Sequence, residues 1–107
     1  MNTPMTFDDR VNHWEGMEID ASGCWLRKDV APGASAWTTD FAGNLAVLRF
    51  SCPCGCGYVV SVPIKPFDVR GWSWDGDKEK PTLTPSIQKL SGCRWHGHLT
   101  KGVFETA

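Results

Sequence analysis

Leu45-Ala46-Val47-Leu48-Arg49-Phe50-Ser51-Cys52-Pro53-Cys54-Gly55-Cys56-Gly57-Tyr58-Val59-Val60-Ser61-Val62-Pro63-Ile64 is the stretch that decides the fold. Two runs rich in branched and aromatic residues flank a short segment of proline, glycine and cysteine, which predicts two strands joined as a hairpin. On the second arm Tyr58, Val60, Val62 and Ile64 share one face, opposite Val59 and Ser61. Pro63 and Pro66 end that arm or place it at a sheet edge, because proline has no amide for the ladder. Within the connection Gly55 and Gly57 supply positive φ, and Pro53 fixes the entry to the turn.

The pattern of short strands and turns continues outward from this hairpin. Gly23 to Leu26 reads as a strand, and Pro32, Gly33, Ala34, Ser35 and Ala36 as a loop. Downstream, Gly71-Trp72-Ser73-Trp74 reads as a strand followed by the turn Asp75-Gly76-Asp77. A last hairpin runs from Trp95 to Phe104 around Thr100-Lys101-Gly102. Near the start, Thr6 caps a short helix that ends before Gly16. The 107 residues therefore predict one domain that is mainly β, a small sheet or sandwich-like assembly of short antiparallel hairpins with one short N-terminal helix. A core of this size gains from a staple.

The staple is written in the cysteines. Three of the five lie within five residues, as Cys52, Cys54 and Cys56, and Cys93 is followed three positions later by His96. Thiolates and one imidazole from two chain turns can close a tetrahedral Zn²⁺ site, so the candidate ligands are Cys52, Cys54, Cys56, Cys93 and His96. Which four of the five bind stays open. Cys54 and Cys56 would chelate as a close pair, whereas Cys52 with Cys56 gives a wider bite. His98 competes with His96 for the nitrogen position, since both share a face if the strand is extended and Gly97 permits a kink between them. Cys24 reads as a small core hydrophobe.

An odd number of cysteines argues against a closed disulfide framework, and the first twenty residues are too charged for a signal peptide, which predicts a reducing cytoplasm, that of the host if the chain is phage-encoded. No apolar run is long enough to span a bilayer. The formal net charge of −1 disfavours nucleic acid and anionic membrane surfaces as partners.

Four ordered motifs, Cys52-Pro-Cys-Gly-Cys-Gly57, Gly71-Trp-Ser-Trp-Asp-Gly-Asp77, Pro81-Thr-Leu-Thr-Pro-Ser-Ile87 and Cys93-Arg-Trp-His-Gly-His98 with Gly102-Val-Phe104, together resemble a family of small proteins of uncharacterised function from phages, prophages and bacteria. The resemblance covers Leu45 to Phe104 and leaves residues 1–44 outside it. It implies that Cys52, Cys54, Cys56, Cys93 and His96 are zinc ligands. Relatives often carry an aromatic or apolar residue at the position of His98. A label of ammonia monooxygenase sometimes attached to the family finds no support in these motifs.

Between the ligand clusters, Trp72 and Trp74 form an apolar wall beside Asp75, Asp77 and Glu79, and the prolines of Pro81-Thr82-Leu83-Thr84-Pro85-Ser86-Ile87 hold an extended segment that would cover an edge. These side chains either roof the core or line a binding groove. The favoured expectation is a phage- or prophage-encoded protein with a structural zinc that acts by binding a host or phage protein. A zinc hydrolase with Asp75, Asp77 or Glu79 as general base is the alternative, disfavoured because several thiolates weaken zinc as a Lewis acid. A zinc-knuckle nucleic-acid binder is a further one. A Ser-His-Asp assembly can be named from Ser86, His96 or His98 and an aspartate, but no nucleophile elbow supports it.

Overall fold

The computed structural model describes residues 2–13, 15–21, 23, 25–88 and 94–107. Cys24 and Cys93 lie outside these residues. The strands in chain order are β1 (Asn2–Pro4), β2 (Thr6–Phe7), β3 (Glu18–Ile19), β4 (Trp25–Leu26), β5 (Ala34–Thr39), β6 (Leu45–Ser51), β7 (Val59–Pro63), β8 (Ser73–Trp74), β9 (Leu83–Gln88), β10 (His96–Thr100) and β11 (Val103–Thr106). They build a five-stranded sheet in the order β1-β11-β10-β9-β8, a four-stranded sheet in the order β2-β5-β6-β7, and the small pair β3-β4.

The hairpin expected at Leu45–Ile64 is present as β6 and β7, paired from Val47↔Pro63 to Ser51↔Val59. Alternation along β6 buries Ala46, Leu48 and Phe50 and leaves Leu45, Val47 and Arg49 half-buried. The buried side chains of β6 and β7 join Leu83, Ile87, Leu99 and Phe104 of the larger sheet in one apolar cluster, so the two sheets enclose a shared core. At its centre Phe50 and Phe104 have ring centroids 4.6 Å apart, and Trp95 meets each of them edge-on at 6.1 Å. β7 is an edge strand, as Pro63 requires.

Three local expectations change. Thr6 caps no helix: its amide donates to the Gly33 carbonyl (3.2 Å) in a parallel ladder with β5. The helical turn instead spans Asp9–Asn12 as a 3-10 segment, capped by Asp8 accepting from the Arg10 amide. Ala34, Ser35 and Ala36 are buried strand residues, because small side chains fit where the turn Asp9–Asn12 packs on β5 through Val11. The segment Pro81–Ile87 is no edge covering. Leu83–Gln88 is strand β9, an interior strand between β8 and β10.

The last hairpin closes on Lys101 (φ 48°) and Gly102 (φ 76°), the two positive dihedrals that a tight two-residue turn requires. No described helix is long and apolar enough to cross a membrane.

Candidate active site

β9 and β10 run antiparallel through the middle of the larger sheet, but their register is not uniform. Leu83 pairs with Leu99 and Ile87 with Gly97, so four residue steps on β9 oppose two on β10. Thr84, Pro85 and Ser86 thus oppose the single residue His98, a surplus of two, and the peptide before Pro85 is cis. A bulge of this kind bends its strand and re-aims a side chain. The re-aimed side chain is Ser86, whose Oγ lies 3.0 Å from Nε2 of His96. His96 is held by its own pairing with Gln88 and by the Ala107 amide, which donates to its carbonyl at 2.9 Å.

Ser86 is anchored from the other side as well. The indole Nε1 of Trp72 donates to the Ser86 carbonyl at 3.2 Å. Trp72 is half-buried against the core, and Trp74 beside it meets Trp37 in a tilted contact, with centroids 5.1 Å apart and planes at 50°. One of the two tryptophans thus holds the backbone of the serine strand, and the other seals the end of the core. The exposed outer face around the pair carries His98 and Gln88. A hydroxyl within hydrogen-bond reach of an imidazole is a geometry that a nucleophile and its general base can share.

The acidic residues between Trp74 and Pro81 do other work. Asp75 Oδ1 accepts from the amides of Asp77 (3.1 Å) and Thr82 (3.2 Å), and Asp77 Oδ1 accepts from those of Glu79 (2.9 Å) and Lys80 (3.0 Å). The Lys80 and Glu79 amides hold the Asp77 carboxyl below the usual carboxylate range. These carboxylates staple a turn, which is why they are poor candidates for a general base.

The thiols form a separate group. After β6 the chain turns through the Cys52 carbonyl accepting from the Gly55 amide (3.0 Å), and the Cys52 amide donates to the Tyr58 carbonyl (2.8 Å). Gly55, between Cys54 and Cys56, and Gly57, after Cys56, both sit at φ 89°, the positive φ expected of them. The turn brings the Sγ atoms of Cys52, Cys54 and Cys56 within 4.8 Å of one another, with 3.3 Å between the first two. Four thiolates around zinc stand about 3.8 Å apart, so this group is close enough to hold a metal ion with modest adjustment. Cys52 is buried, Cys56 half-buried and Cys54 exposed. His96 does not join the group and is turned to Ser86 instead; Cys93 falls outside the described residues.

A cavity of about 220 Å³ lined by Val11, Trp25, Arg49, Val59 and Ser61 opens on the four-stranded sheet, across the core from the dyad.

The fold and the site thus define a small β protein with a serine-histidine dyad and a cluster of three thiols. Residues 23–107 match a family described as bacterial ubiquitination-like system serine protease (BubE), and the chain belongs to that family. No curated protein and no solved structure matches it. The family match overturns the expectation of a phage-encoded zinc protein that works by binding a host or phage protein, and points to a protease-related role. Of the Ser-His-Asp assembly that can be named from the sequence, the structure brings Ser86 and His96 within hydrogen-bond reach of each other. Here a bulged strand, and not a strand-to-helix turn, presents the serine.

Proposed function

We propose that the chain is a serine protease in which Ser86 is the nucleophile and His96 the general base. The observation that carries this reading is the 3.0 Å contact between Ser86 Oγ and His96 Nε2 on an exposed sheet face. With its proton on Nδ1, His96 presents the Nε2 lone pair to the hydroxyl. As Oγ attacks a scissile carbonyl, the proton passes to Nε2 and then to the departing amine, leaving an acyl ester on Ser86 that water hydrolyses by the same route in reverse. Trp72 is a positioning residue, since it fixes the carbonyl of the nucleophile. The family description supports a place for the enzyme in a bacterial ubiquitination-like system, with a polypeptide as substrate.

The metal in this reading is Zn²⁺ bound by Cys52, Cys54, Cys56 and Cys93, which leaves His96 to the dyad. In sequence Cys93 lies two residues before Trp95 and Phe50 two residues before Cys52, and the rings of Trp95 and Phe50 meet edge-on in the core. A thiolate-rich site supplies structural stability and little Lewis acidity. Bound there, zinc would tie the connection of β9 and β10 to the β6–β7 turn and keep the dyad strands in register.

The test is peptide hydrolysis by the purified chain and two variants. Ser86→Ala and His96→Ala should each lower kcat by about a thousandfold or more, with melting temperatures close to that of the wild type. Hydrolysis that survives Ser86→Ala would refute the assignment.

A further inference from the structure

The same sheet face presents a second set of side chains of metal-ligand type, which shares His96 with the dyad. His98 follows His96 on β10, and both are exposed. Gly97 between them produces no kink. A Cβ at Gly97 would stand 2.3 Å from the Glu105 carbonyl oxygen and 2.6 Å from the Trp95 ring, so glycine is there for close packing and the strand stays extended. The two imidazoles therefore project from one face, with centroids 6.4 Å apart and planes 35° from parallel. Glu105 lies directly opposite His98 on β11 and is exposed too. Side chains at such cross-strand positions are within reach of one another.

A zinc-class ion with nitrogens at about 2.0–2.1 Å sets two imidazole centroids roughly 5 Å apart in tetrahedral geometry and about 6.4 Å apart when collinear. The observed 6.4 Å equals the collinear limit, so a bent coordination that includes Glu105 would need the two exposed rings to turn toward each other. We propose that His96, His98 and Glu105 form a second divalent-metal site, suited to Zn²⁺, Cu²⁺ or Ni²⁺, whose occupation switches the dyad off.

The inhibition, though not the binding, rests on the protease reading. Coordination through Nε2 takes the lone pair that would accept the Ser86 proton. Coordination through Nδ1 forces the ring proton onto Nε2, which then donates instead of accepting. Either mode removes the base, and dissociation of the ion restores it.

Equilibrium dialysis against micromolar Zn²⁺ tests the site without reference to activity. The full-length wild type should bind one more ion per chain than His98→Ala, and Glu105→Gln should weaken that ion about tenfold. Equal stoichiometry in wild type and His98→Ala would overturn the site. In peptide hydrolysis, the same Zn²⁺ should inhibit the wild type and spare His98→Ala. Binding of the extra ion without inhibition would overturn the switch. An extra ion that depends on His98 in a chain without any hydrolytic activity would uphold the metal site and sink the protease reading, so the two failures are distinguishable.

Discussion

In the proposed protease Ser86 is placed by His96 at its hydroxyl, by Trp72 at its carbonyl, and by the preceding Thr84 and Pro85 in the bulge opposite β10. Trp72→Phe keeps the aromatic ring and deletes the indole N–H. Because small displacements of a nucleophile are costly, kcat should fall about ten- to a hundredfold while KM changes little, as steady-state kinetics would show. A parallel rise in KM would assign Trp72 to substrate binding instead. None of this geometry is visible in the sequence around Ser86. A serine after Thr-Pro in an extended segment carries no motif, and its partner lies ten positions on, across a register shift that no local pattern encodes. The thiols were easier to read, since three cysteines separated by single residues must converge wherever the chain turns.

At the level of elements, the hairpins β6–β7 and β10–β11 follow from alternation and turn chemistry, and both are found where the residues place them. β9 is different. Pro85 argues for an edge, yet the bulge at Thr84-Pro85-Ser86 takes the missing amide out of the ladder and lets the strand lie inside the sheet. The turn before β9 depends on Asp77, whose carboxyl is held low by the Lys80 and Glu79 amides. A carboxyl depressed in the folded state contributes stability above its unfolded value and loses it as pH falls through the folded one. Thermal melts should therefore show the wild type losing its advantage over Asp77→Ala as the pH is lowered below the usual carboxylate range. An advantage that persists unchanged in acid would contradict the role of these bonds.

For the whole molecule, two sheets close on one core, and the aromatic group of Phe50, Trp95 and Phe104 links the strands that carry both the thiols and the dyad. Phe104→Ala empties a fully buried position and should cost about 3–5 kcal/mol in denaturant unfolding. A cost below about 1 kcal/mol would show that the core collapses around the gap. If the thiols hold a structural metal, chelation should lower the melting temperature of the wild type and leave a Cys52→Ser, Cys56→Ser variant unmoved at its own lower value. The central claim remains the nucleophile, and covalent labelling tests it most directly. A fluorophosphonate should add to Ser86 with loss of fluoride, and peptide mapping by mass spectrometry should place the adduct there in the wild type and find it missing from His96→Ala. Labelling that bypasses Ser86, or that proceeds unchanged without His96, would contradict the account.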